Sequence, residues 1–219
     1  MSHTPTPTPH PAGTSRAAQK EQSRRALLDA ALLLLDHQNL SSLGVREVTR
    51  AAGLSPAGFY RHFRDLDELG VTLVTESLGS LHLMIEKVLA EQGEPERLIE
   101  RTVAVIARHV REHRAHIRFL ARERHGGVQP VRAAIAAEFA AFTEQTAAAL
   151  SLQEESADWS AADLSMLAAL YVEHLVGTAA AFLEAPAGSR AAEQRIAARA
   201  RDQLRLISIG RRHWTSAKG

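Results

Sequence analysis

One stretch, Val45 to Leu69 (VREVTRAAGLSPAGFYRHFRDLDEL), constrains what this chain can fold into more than any other. Val45, Val48 and Ala52 recur at helical spacing, which puts Arg46, Glu47, Thr49 and Arg50 on the outward side of a short helix. Gly53 stands where a left-handed residue ends such a helix, and Leu54 can fold back on its last turn. Ser55 then supplies an N-cap and Pro56 the first position of a second helix. Phe59 and Phe63 share the inner face of that helix, while Ala57, Tyr60 and Arg61 point elsewhere. Asp65 and Glu68 form a capping box that opens a third helix at Asp65. Helix, Gly-containing turn and second helix with an exposed aromatic and basic face is the helix-turn-helix pattern of a major-groove reader.

Two core helices with a solvated basic face would show the same periodicity. Gly58 argues for the groove, because it is poor helix filler on an exposed face but lets a backbone come close to another surface. Tyr60, Arg61, His62 and Arg64 crowd donors suited to phosphate oxygens and base edges beside it. With these residues in view, GFYRHFRDLDEL (58–69) resembles the end of the DNA-binding domain of TetR-family repressors, whose usual form is close to YxHFxxKxEL. Leu66 stands where that family commonly carries a phosphate-anchoring Lys, which leaves Arg64 as the nearest candidate for the contact. The strings YRHFRD and DELG, with LARERHGG (120–127) and QLRLISIGRRHW (203–214), resemble one branch, the FabR/DesT-type repressors of unsaturated fatty acid synthesis. The similarity runs from about Gln19 to about Trp214.

Charge distribution agrees with such a reading. The chain of 219 residues has a formal net charge of +1, yet residues 1–64 hold +4 and the remainder −3. A basic head on a mildly acidic body is an electrostatic footprint for a phosphate partner. The absence of cysteine excludes disulfides, thiol catalysis and Cys-based zinc sites. Apolar runs such as Ala30–Leu35, bracketed by Asp29 and Asp36, fall far short of a membrane span. The start of the chain lacks the basic and apolar regions of a signal peptide, so a soluble cytoplasmic protein without membrane contact is expected.

Abundant Ala and Leu, few aromatics and few β-branched runs predict an all-α fold. Residues 1–15 (MSHTPTPTPHPAGTS) read as a disordered tail. A first helix runs from Arg16 to His37, and Arg16, Lys20, Arg24 and Arg25 on its first turns either reach phosphates or form a solvated end. Beyond the motif, long helical stretches span Asp65 to about Glu91, Glu96 to about His113, and Pro130 through Leu150. A short helix covers about His116 to Leu120. Another begins at a Ser160–Asp163 box and ends before Pro186, and the last spans Arg190 to about Trp214. The organisation expected is a tail (1–15), a helix-turn-helix domain (16–64) and a helical ligand-binding and dimerisation domain (65–219).

Enzyme signatures are missing: there is no Gly-rich phosphate loop, no G-x-S-x-G elbow and no Glu followed three residues later by His. His109, His113 and His116 have legitimate metal-ligand spacing, but Arg108, Arg111, Arg114 and Arg118 interleave with them and disfavour a cation. No metal or cofactor is therefore expected. Arg122–Glu123–Arg124 reads either as a surface ion cluster closing a helix or as a polar gate at the mouth of an apolar pocket. Gly177, Ala180 and Ala181 suit close helix packing, within one subunit or between two.

The resemblance implies a homodimeric repressor that binds a palindromic, double-stranded operator. Carried onto this chain, the DNA-binding residues are Lys20, Arg24, Arg46, Ser55, Ala57, Gly58, Tyr60, Arg61, His62 and Arg64, and the dimer interface lies around 160–184 and 192–214. The branch further implies a long-chain acyl thioester (acyl-CoA or acyl carrier protein) as effector. Leu81, Ile85, Ile106, Val110, Phe119, Phe139, Phe142 and Tyr171 would line its tunnel, with Arg122 and Arg124 meeting its polar end. The competing readings are a TetR-type regulator of efflux or catabolism with another apolar ligand, and a helical small-molecule- or metal-binding protein that never touches DNA.

Overall fold

The computed structural model describes residues 12–89, 94–156 and 158–214, the side chains of 12–15 and 80–89 excepted. Among these residues there are nine α-helices, two 3-10 turns and no strand. The helices are α1 (Ala12–Leu34), α2 (Val45–Ala51), α3 (Pro56–Phe59), α4 (Leu66–Leu89), α5 (Pro95–Glu112), α6 (Arg114–Glu123), α7 (Gln129–Ser151), α8 (Ala161–Glu184) and α9 (Arg190–Arg212). Most of the expected tail lies outside the described residues. Helix α1 starts at Ala12 rather than Arg16, since the strong helix formers from Arg16 onward carry the weaker Gly13, Thr14 and Ser15 into the helix.

Local chemistry accounts for the helix-turn-helix. Gly53 takes φ +67, Leu54 donates its N–H to the Thr49 carbonyl at 2.8 Å, and the chain reverses after α2. Ser55 Oγ accepts the Gly58 N–H at 3.2 Å and caps α3. Helix α3 is regular only to Phe59; the chain continues through a turn in which Phe63 still donates to the Phe59 carbonyl at 3.0 Å. Thr49 departs from its expected outward position. It is 2% exposed, because α2 is packed between α1 and α3, and its hydroxyl is satisfied by the Arg46 carbonyl at 3.2 Å. Asp65 caps α4 by accepting the Glu68 N–H at 2.8 Å, so the helix opens at Leu66 and not at Asp65. The returning half of the box is displaced by one residue: the Glu68 carboxylate takes the Arg64 N–H at 2.7 Å.

Helices α4 to α9 form the body. The expected break near His113 is present, where φ −124 and ψ 36 separate α5 from α6. Ser160 caps α8 as expected, accepting the Asp163 N–H at 3.1 Å. By length and composition α8 could cross a membrane, but Leu167, Ala168, Val172, Thr178 and Phe182 are buried against the rest of the body.

Head and body share one apolar core, from Leu27, Val48 and Phe59 in the head to Ile117, Val131 and Leu204 in the body. They are also joined by a polar seam at the end of α6. Arg122 donates to the carbonyls of Leu35 and Asp36 at 3.0 and 2.9 Å, filling acceptors that the end of α1 leaves open. Arg118 forms an ion pair with Asp36. Glu123, 1% exposed, accepts the Leu40 N–H at 2.9 Å. Its second oxygen lies against Gly126, where a Cβ would sit 2.2 Å from it.

That contact makes the seam testable. Gly126→Ala forces the Glu123 carboxylate off Leu40, and overpacking of this kind costs about 1–3 kcal/mol. The urea midpoint should fall accordingly at constant m. In a Glu123→Ala background the same substitution should cost much less, because the carboxylate it collides with is gone and only the tight 3.1 Å approach to the backbone Cα of residue 123 remains.

Candidate DNA-binding face and ligand cavity

The outer face of the head gathers most of the residues the motif singled out. Ser55, Ala57, Arg61, Arg46 and Lys20 are exposed, and Tyr60 is 61% exposed with its ring edge-on to buried Phe59 at 5.5 Å. His62 is half-buried, and its basicity is lowered by burial first and then by Lys20, Arg61 and Arg24 around it. A neutral imidazole amid three cations is suited to a base edge or to a phosphate that would restore its proton. A Cβ on Gly58 would meet only Ser55 Oγ at 3.6 Å and Leu54 Cβ at 3.7 Å, ordinary contact distances. Nothing among the described residues therefore demands glycine there.

Two of the expected phosphate contacts are otherwise engaged. Arg24 pairs with Glu76 of α4 at 3.1 Å and lies 5.7 Å above the Phe63 ring, which ties α1 to α4. Arg64 is exposed but paired with Glu68 at 3.1 Å.

In the body, α4 to α8 enclose an apolar cavity with an empty volume of about 760 Å³, part of it open to solvent. The cavity volume proper is about 80 Å³, well below the roughly 300–1,000 Å³ usual for small-molecule sites, so a long ligand has to part the surrounding helices to enter. Of the residues the sequence offers for the ligand, Ile106, Val110, Phe139, Phe142 and Arg124 stand on the cavity wall. The Arg124 guanidinium lies 5.4 Å over the Phe139 ring and also borders a second, more polar recess with Thr143 and Glu173. Arg124 therefore marks the rim.

Other expected lining residues are elsewhere. Phe119 is 1% exposed in the main core and off the cavity wall. Tyr171 packs with Leu150 and Leu167, where burial raises its pKa and Arg211 opposes the rise. The side chains of Leu81 and Ile85 lie outside the described residues. Arg122, placed at a gate by the sequence, instead faces the head, because residues two apart on a helix lie on different sides.

The cavity also holds a residue that the sequence does not assign to it. His109 is 1% exposed on the wall, and neither ring nitrogen has a partner among the described residues. Its ring lies tilted 4.6 Å from that of His113, which is 5.8 Å from His116. Among the described residues no three acidic, His or Cys side chains are placed to hold a metal ion. Burial, then His113 and His116, lower the His109 pKa to about 4.

A basic helix-turn-helix head fused through a shared core to a helical body with an apolar cavity has the parts of a ligand-responsive DNA-binding regulator. Residues 27–70 match the family described as "Bacterial regulatory proteins, tetR family", and residues 95–210 match "Tetracyclin repressor-like, C-terminal domain". The chain belongs to the TetR family. Similar solved structures include the fatty acid degradation regulator FadR from Bacillus halodurans, 13% identical, TM-score 0.64, covering 83% of this chain and 94% of that one. FadR from Bacillus subtilis in complex with stearoyl-CoA is 13% identical, TM-score 0.65, with coverage of 84% and 96%. AibR in complex with isovaleryl coenzyme A and operator DNA is 15% identical, TM-score 0.63, with coverage of 83% and 97%. At these identities the likeness is one of fold.

The buried imidazole carries a pH signature. In the unfolded chain His109 titrates near about 6.5, whereas the fold holds it neutral down to about 4. Between those values the unfolded state binds a proton that the folded state refuses. The contribution to stability is thus complete above the unfolded pKa and is lost as pH falls toward the folded one. The melting temperature should drop from pH 7 to pH 4.5, and His109→Leu should flatten that drop.

Proposed function

We propose that this regulator is a homodimer reading a palindromic operator through residues 16–64 and sensing a long-chain acyl thioester within residues 65–219. Its regulated functions would be those of unsaturated fatty acid synthesis, in keeping with the FabR/DesT-type strings. The observation that carries the ligand reading is a wall of apolar side chains, interrupted by His109, with one cation, Arg124, at its rim. A fatty chain gains about 0.8 kcal/mol per buried methylene there, and Arg124 is available for the anionic end of the thioester carrier. The stearoyl-CoA bound to the Bacillus subtilis regulator and the isovaleryl coenzyme A bound to AibR are ligands of this chemical class.

The dimer is supported by an unpartnered stripe. Met166, Leu170 and Gly177 share the outer face of α8, and Leu206 and Ile209 stand 70% and 50% exposed on neighbouring α9. These are the helices the sequence assigned to the interface, and a palindromic site needs two heads one DNA turn apart, roughly 34–36 Å. The switch is then linkage. Helix α6 and its C-cap contribute Ile117, Leu120 and Arg124 to the cavity and Arg118, Arg122 and Glu123 to the head, so a ligand that displaces α6 changes the separation of the two heads. Such a protein acts in the cytoplasm, with operator DNA and without a membrane.

Two experiments decide between the parts of this reading. Tyr60→Ala and Arg61→Ala should each weaken operator binding by about 1–3 kcal/mol with the fold intact. Gly58→Ala should weaken it too while leaving thermal stability undiminished. Lys20→Ala should lower affinity for all sequences and reduce the salt slope by about 1. For the ligand, stearoyl-CoA and oleoyl-CoA titrated into the protein–operator complex should change operator affinity by different amounts, since a kinked chain and a straight one cannot fill one close-packed cavity equally. Identical responses, or none, would remove the fatty-acid reading and leave the DNA-binding one standing.

A further inference from the structure

A cavity built only for a hydrocarbon chain would have a wholly apolar wall. This one has a fully buried histidine on α5, on the same wall as Ile106, Val110 and Ile117, whose two nitrogens make no hydrogen bond among the described residues. A buried polar group without a partner is costly, and such groups are rare in folded proteins unless a function retains them. The position is not forced by packing either, since leucine or methionine fills similar space without that cost.

The chemistry of the missing partner follows from the surroundings. His109 is uncharged near neutral pH because burial disfavours the imidazolium and two further imidazoles stand beside it. A neutral ring has one N–H to donate, and an anion drawn this deep into an apolar wall would lose its hydration, a cost it escapes beside Arg124 at the rim. The fitting partner is a neutral oxygen acceptor held inside the cavity. In an acyl thioester the neutral oxygen next to the fatty chain is the thioester carbonyl. Resting on the acyl-thioester reading above, we infer that His109 is a specificity-determining residue that donates a hydrogen bond to the thioester carbonyl of the bound ligand. The acyl chain then lies along the apolar wall and the anionic carrier extends toward Arg124. A simple hydrocarbon would leave the imidazole buried and unpaired, so the site discriminates a thioester from other long-chain molecules.

The test compares palmitoyl-CoA with S-hexadecyl-CoA, a thioether of equal chain length that lacks the carbonyl. Binding is measured by calorimetry below the micelle concentration of each. Wild type should prefer palmitoyl-CoA by about tenfold. His109→Leu should bind both equally, losing affinity for the thioester while holding or gaining it for the thioether. His109→Gln, which keeps a donor, should recover part of the preference. In wild type labelled with ¹⁵N-histidine, palmitoyl-CoA should move the His109 ring-nitrogen resonances and S-hexadecyl-CoA should not; this readout needs no variant to fold. Equal affinity of the two probes for wild type, or a preference that survives in His109→Leu, overturns the assignment while the acyl-CoA reading stands. Binding of neither probe removes the acyl-CoA reading and this inference together.

Discussion

The architecture depends on the grip that the end of α6 keeps on the end of α1. Helix termini leave carbonyls and amides unpaired, and their burial without partners is costly. Here the open carbonyls of Leu35 and Asp36 are met by Arg122, and the open amide of Leu40 is met by Glu123. A charged donor and a charged acceptor, adjacent on α6, thus satisfy the two sides of one chain reversal in the head. Hydrogen bonds to charged groups contribute more than neutral ones, about 1.5–3 kcal/mol each. The apolar core that runs from Leu27 to Leu204 makes head and body adhere; the seam sets the angle at which they do so.

The same ten-residue helix forms part of the cavity wall. An α-helix turns by about 100° per residue, so Arg122 and Arg124, alike in charge and nearly adjacent, face different parts of the protein. One holds the head and the other borders the cavity. No slack separates the two tasks, because the helix is too short to bend between them. In the proposed switch this rigidity lets a change at the cavity reach the head without passing through a loop.

What could be read from the sequence was what is decided locally. The left-handed Gly53, the Ser55 and Ser160 caps and the break at His113 are each settled by side chains within a few residues, and each is found where it was expected. Contacts distant in sequence were not legible. Arg122 meets Leu35 across 87 positions and Glu123 meets Leu40 across 83, and no periodicity records such a pairing. Thr49 was misplaced because helical spacing gives the direction of a side chain but not how many neighbours surround the helix. His109 was hidden among the arginines at 108 and 111, which turn outward on the neighbouring faces of α5 and make its own face look polar.

Gly126 has a consequence for anyone recombining such proteins. The glycine leaves room for the Glu123 carboxylate, the carboxylate holds the 3-10 turn at Leu40, and Arg122 closes the helix just before it. These positions fit one another as a key fits its own lock, although they lie in different domains by any sequence-based boundary. A head transplanted from a related regulator brings its own version of residues 35–43, which was shaped against a different α6. Functional chimaeras are therefore to be spliced with 35–43 and 118–127 moved as one inherited cassette, and the seam, rather than the domain border, is the unit of exchange.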